Sequence, residues 1–231
     1  MLLYEKIIKV HLYNAMYFAE VTIMSKVLFV KANDRPADQS VSVRMYDAFL
    51  KTYKESNPQD EITELDLFNA ELPYYGNTAI TASFKKKQGL ELTEEEAKYV
   101  ALIDQYTSQF LSMDKIVFAF PLWNSTVPAP LVSYFSYLAQ AGTMFHYTEE
   151  GPVGHAADKK VAILSARGSD YALEGMAAGE MAVNLVKTVI SLWGIINPEE
   201  VVIEGHNQYP DRMQEIIANG LDKAVKLASE F

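Results

Sequence analysis

Three features of the sequence predict a doubly wound α/β domain with a five-stranded parallel sheet and helices on both faces. Short apolar runs rich in β-branched and aromatic residues alternate with segments of helical period from Lys26 to the C-terminus. Two of these runs, Lys115 to Phe120 and Lys160 to Ser165, are apolar at nearly every position, as in strands buried on both faces of a parallel sheet. No repeat, linker or low-complexity tract interrupts the alternation, so each pair of strands has a helix available for its crossover.

Lys26 to Lys31 is the first strand, and Ala32-Asn33-Asp34-Arg35-Pro36-Ala37-Asp38 is its loop. From Ser40, Val41, Met45, Ala48 and Phe49 recur at helical spacing to about Lys54, and Asn57-Pro58 ends the helix. Glu61 to Leu67 alternates as a strand. Phe68 to Gly89, with Pro73 and Gly76, is expected to be an irregular excursion over the surface. The Lys85-Lys86-Lys87 run within it reads as a solvated turn before a helix.

Thr93-Glu94-Glu95-Glu96 supplies a capping box for a helix carrying Ala97, Val100, Ile103, Thr107 and Phe110 on one face. Pro128 and Pro130 start the helix after the third strand, and Gly142 closes it. A long Ala-rich helix is expected from Leu173 to Trp193, with Gly194 as its C′ residue and Gly175 and Gly179 as points of close helix packing. Val201 to Glu204 is the last strand. A helix beginning at Pro210-Asp211 completes the domain with Met213, Ile217, Leu221, Ala224 and Ala228 on one face.

The composition narrows the chemistry. The chain has 231 residues, enough for one sizeable core. Its formal charge of −10 disfavours nucleic acid and anionic lipid as partners. It has no cysteine, so disulfides, thiolate metal sites and dithiol redox chemistry are excluded, and any electrons must be carried by a cofactor. No apolar run approaches the roughly 20 residues of a membrane span, and a cytoplasmic protein is expected. Residues 1–23 lack the plan of a secretory signal, and Met24 directly precedes the first strand. The domain is therefore expected to span residues 24–231 with Met24 as the natural start, and residues 1–23 to be an extension.

In open parallel sheets, ligands bind beyond the carboxyl ends of the strands where the winding reverses. The loop from Asn33 to Ser42 has no glycine, which excludes the dinucleotide fingerprint and the Walker loop. Ser40, Val41 and Ser42 nevertheless place two hydroxyls and successive amides at a helix start, which suits either a phosphate or a plain N-cap. After the third strand come Leu122, Trp123, Asn124 and Ser125, groups that would fit a planar polar heterocycle. Trp123 could equally pack on the following helix. Ser165, Ala166, Arg167 and Gly168 follow the fourth strand, with Arg167 either near an anionic ring edge or in an ion pair. His146 and His155 flank one loop without further ligands at metal-binding spacing, so no metal is expected.

Taken together, these loops resemble those of the FMN-dependent NADH-azoreductases, also described as NADH:quinone oxidoreductases. The resemblance runs from Met24 to the C-terminus. It is carried by Ser25-Lys26-Val27-Leu28, Ser40-Val41-Ser42, Pro121-Leu122-Trp123-Asn124, Phe145 to Pro152 and Ser165-Ala166-Arg167-Gly168.

It implies the flavodoxin-like strand order 2-1-3-4-5, tightly bound FMN, NADH as donor, and two-electron reduction of quinones and azo compounds by a ping-pong cycle. It also implies that Ser40, Val41 and Ser42 hold the FMN phosphate, and that Leu122 to Ser125 and Ser165 to Gly168 embrace the ring. Tyr147 would border the acceptor site. No catalytic acid or base is implied. The chain departs from the family pattern at Leu131-Val132-Ser133-Tyr134-Phe135-Ser136 and at Ser169. A homodimer is implied as well, and Tyr134, Phe135, Tyr137 and Leu138 exceed one helix face, as a helix with an outward apolar surface would. The rival reading is a flavodoxin-like electron carrier without a small-molecule substrate.

Overall fold

A computed structural model describes residues 24–231, and the expectations about residues 1–23 lie outside it. The chain runs β1 (Lys26–Lys31), α1 (Val41–Ser56), β2 (Glu61–Asp66), α2 (Asn77–Gln88), α3 (Glu94–Leu111), β3 (Lys115–Pro121) and α4 (Ala129–Leu138). It continues with β4 (Phe145–Thr148), β5 (Gly151–Gly154), β6 (Lys160–Arg167), α5 (Ala182–Leu192), β7 (Glu199–Glu204) and α6 (Met213–Glu230). The main sheet is parallel in the order β2-β1-β3-β6-β7, which is 2-1-3-4-5 when its own strands alone are counted. β4 and β5 form a separate antiparallel hairpin, where the sequence suggested only a loop.

The two faces of the sheet follow the period of two. Leu28, Val30, Ile116, Phe118, Phe120, Val161 and Ile163 point to the core under α3, α4 and α5. Their neighbours Val27, Phe29, Val117, Ala119, Ala162 and Leu164 point to the core under α1 and α6. Trp193, Phe110 and Phe135 meet edge to face at the centre of the first core.

Several sequence expectations are corrected. The stretch from Phe68 to Gly89 is not irregular throughout, because α2 occupies its second half. Its apolar signal is weak, since only Ala79 and Ala82 are buried. Lys85 to Lys87 form its last turn, where the carbonyl ends of the helix favour cations, and Gly89 ends it at φ 66°. Lys85 reaches Glu96 at 2.7 Å, and Lys86 pairs with Asp104.

The expected helix from Leu173 begins only at Ala182. Gly175 takes φ 81°, which a right-handed helix cannot contain, and Gly179 sits in a short 3₁₀ turn against Tyr171, so neither marks helix packing. The Glu180 carboxylate starts the helix instead, accepting from the amides of Ala182 (3.1 Å) and Val183 (2.8 Å). Gly194 ends it at φ 93°, as expected. Tyr134, Phe135, Tyr137 and Leu138 are all buried in the domain's own core, so the outward apolar surface inferred for α4 does not exist.

Candidate functional site

The loops after β1, β3, β6 and β7 enclose a cleft of about 560 Å³ at the carboxyl ends of the strands. Of the residues selected from sequence, Ser40, Val41, Ser42, Leu122, Trp123, Ala166, Arg167 and Gly168 line it. Asn124 and Ser125 form a turn beside it. The Ser165 hydroxyl is wholly buried without a partner and does not line it. Tyr147 stands on the β4–β5 hairpin, 73% exposed, away from the cleft lining.

One end of the cleft is a cluster of donors. The buried Asn33 amide donates from Nδ2 to Ser40 Oγ (2.8 Å) and Ser42 Oγ (3.0 Å), and the two hydroxyls lie 3.3 Å apart. With each oxygen already accepting, the hydroxyl protons are available to each other and to a ligand. Ser40 is also the N-cap of α1, accepting from the Val43 amide at 3.4 Å. The first turn of α1 carries no acidic residue to satisfy the helix dipole. Arg35 and Arg44 line the same end, and neither has a carboxylate partner within 4 Å among the described residues. The sequence gives no local sign of the role of Asn33, because its partners lie seven and nine residues away.

The other end is flat and apolar, with Pro121, Leu122 and Trp123. Trp123 and Thr126 exchange backbone hydrogen bonds of 2.9 and 3.1 Å, closing a turn in which Asn124 (φ 50°) and Ser125 (φ 67°) are both left-handed. Two consecutive non-glycine residues in that region cost of order 1–3 kcal/mol each, and such strain collects at ligand sites. The half-buried Trp123 meets Phe68 edge to face at 6.1 Å, so its packing partner comes from the loop after β2 rather than from α4. Trp123→Ala is expected to weaken a flat ligand by about 0.5–1.5 kcal/mol beyond the loss of buried area, and to lower turnover. Ligand titration and steady-state rates check this, and full retention of both would make Trp123 a packing residue only.

Arg167 proves to be an ion-pair residue. Its guanidinium lies 3.0 Å from Glu180 and 2.9 Å from Glu204, with its side chain 12% exposed. Gly168 permits close approach of the loop after β7, since a Cβ there would stand 2.5 Å from the Asn207 side chain. That approach brings His206 and Asn207 into the cleft wall, which the sequence pattern did not suggest. On the β4–β5 hairpin, His146 Nδ1 and His155 Nε2 are 2.7 Å apart, and no group of three or more metal-ligating side chains occurs among the described residues.

A cleft with hydroxyl, amide and guanidinium donors at one end and a flat apolar wall at the other fits a planar ring compound carrying an anionic tail. The chain is similar to several known proteins. The family described as flavodoxin-like fold matches residues 25–228. An FMN-dependent NADH:quinone oxidoreductase from Bacillus cereus (strain ATCC 10987 / NRS 248) is 65% identical over 208 residues, covering 90% of this chain and 100% of the relative. Among solved structures, an azoreductase from Bacillus anthracis str. Sterne superimposes with a TM-score of 0.88 at 55% identity, covering 90% of this chain and 100% of that one. An FMN-dependent NADH-azoreductase from Bacillus anthracis str. Ames Ancestor, in complex with FMN, gives 0.80 at 26% identity, covering 90% and 99%.

Proposed function

This chain belongs to the flavodoxin-like fold family, among its FMN-dependent NADH:quinone oxidoreductases and azoreductases, and from that premise we propose that it reduces quinones and azo compounds with electrons from NADH. The observation that carries the reading is the two-ended cleft, which has the donors for a phosphate where α1 begins and a flat wall where β3 ends.

Bound FMN would supply the redox chemistry, a two-electron transfer from nicotinamide to acceptor. The chain's residues bind and orient it. Ser40 and Ser42 would donate to the phosphate with Asn33 fixing their oxygens, and the Trp123 to Thr126 turn would cover the ring. Arg167 is neutralised by Glu180 and Glu204, so its part is to brace the loop after β6 against the segment that ends at Glu180. No side chain is assigned to proton transfer. Donor and acceptor use the site in turn, as in a ping-pong cycle.

The purified protein is expected to be yellow, to bleach with NADH alone, and to regain colour on turnover of 1,4-benzoquinone without any protein partner. Bleaching without turnover would favour the rival reading, a carrier of electrons between proteins. Among the described residues no helix is long and apolar enough to cross a membrane. We place the activity in the cytoplasm, where reduced nicotinamide is made.

A homodimer is part of the proposal, but on different residues from those the sequence pointed to. Ile80 and Phe84, one turn apart on α2, are 57% and 59% exposed, and Tyr74 just before the helix is 90% exposed. Light scattering at micromolar concentration is expected to give twice the chain mass. Phe84→Glu is expected to shift it toward the monomer, and a monomeric parent would refute the assignment.

A further inference from the structure

His206 is more than nine-tenths buried and lines the cleft, yet Nδ1 of its ring has no hydrogen-bond partner. The loop that carries it is fixed on both sides: the Gly205 amide donates to Ser169 O (3.2 Å), and the Asn207 amide to Gly168 O (3.0 Å). These bonds hold the main chain on both sides of His206 against the loop after β6.

A proton on the enclosed Nδ1 would be a buried donor with nothing to accept it. An acceptor left unpaired there is less costly, because water and a relaxed geometry tolerate under-satisfied acceptors better than orphaned N–H groups. The proton of the neutral ring thus belongs on Nε2, which has no protein partner and is not enclosed, on a residue that lines the cleft. Burial lowers the pKa of the ring, which keeps it neutral near pH 7.

The position of His206 identifies what that N–H meets. β7 is the edge strand beyond β6, and α6, which follows it, packs along α1. His206 stands where α1 and α6 begin side by side, together with Arg44 of α1 and Gln214 of α6. The cleft's donor cluster, Ser40 and Ser42, lies at the same start of α1. Asp38, Arg35 and Arg44 are the charged side chains at this end.

We propose that His206 is a further binding residue for FMN, donating from Nε2–H to the phosphate group. The proposal rests on the FMN-dependent function above.

Two measurements test it. In the protein freed of flavin, ¹⁵N-resolved NMR of the His206 ring is expected to show the neutral Nε2–H tautomer, with Nε2 shifting on addition of FMN and not of riboflavin. In fluorescence titrations, His206→Leu is expected to weaken FMN roughly tenfold to a hundredfold, the usual loss for a hydrogen bond to a charged group. Riboflavin binding should change less than about twofold by the same reasoning, since the lost partner is the phosphate. His206→Gln, whose amide nitrogen can reach the Nε2 position, should recover most of the FMN affinity.

An Nδ1–H tautomer, an equal loss for both flavins, or FMN affinity unchanged in His206→Leu would each overturn the assignment while leaving the enzyme an FMN protein. A parent protein that binds no FMN would overturn the assignment and the function together.

Discussion

Replacing Ser40 and Ser42 together by Ala is expected to lower FMN affinity at least tenfold and leave riboflavin affinity nearly unchanged. Each hydroxyl is a donor to a charged group, an interaction worth about 1.5–3 kcal/mol. The loss is tempered because the Asn33 amide, which now donates to both oxygens, becomes free to turn toward the phosphate. That same amide is only 2% exposed, so losing its acceptors also costs stability, roughly 1–3 kcal/mol for an unsatisfied buried donor. Paired titrations with the two flavins, alongside thermal denaturation, separate the effects. Equal loss of FMN and riboflavin would mean that the serines act only through the N-cap of α1 and that the phosphate lies elsewhere.

Gly154→Ala is expected to be the most destabilising small substitution in the domain. A Cβ at Gly154 would lie 1.9 Å from the carbonyl carbon of Trp193 and 2.1 Å from the amide nitrogen of Gly194. Both neighbours are backbone, so no side chain can rotate to make room. The hairpin would have to lift from the end of α5, exposing Phe145, now 5% exposed, and disturbing the packing around the fully buried Trp193. Overpacking a core typically costs 1–3 kcal/mol, and a clash with main chain belongs at or above the top of that range, about 3 kcal/mol or more. For a domain of this size that is a fall in Tm of about 6–12 °C. Gly76→Ala, where no heavy atom lies nearer than 4.0 Å, is the control and should change stability by under about 1 kcal/mol. An unchanged melting curve for Gly154→Ala would show that the hairpin is not seated on Trp193 and Gly194.

The parts of this protein that its sequence determined are those in which physical information is local. A strand buried on both faces must be apolar throughout, and β1, β3 and β6 stand out for that reason. A helix start needs a cap, and Ser40 and Thr93 are visible as such. Once the strands are parallel and joined by helices, the loops after β1, β3 and β6 must gather at one end of the sheet. Eight of the selected residues therefore meet in one cleft although they come from three separate loops.

What only the tertiary structure decided depends on partners distant along the chain. Arg167 looked equally suited to a ligand or an ion pair until Glu180 and Glu204, 37 residues away in the second case, took both sides of its guanidinium. The aromatic residues of α4 looked outward because their number exceeds one helix face, but α3, β3 and Trp193 surround them within the domain. α2 was hidden because its buried face is two alanines, and a helix that meets α3 through ion pairs as well leaves little hydrophobic period to read. Asn33 and His206 are ordinary polar residues in their own segments. They acquire their roles only when the fold sets one beneath two serines and closes the other's ring nitrogen away from water, because the cost of burying a polar group is a property of its surroundings and not of its neighbours in sequence.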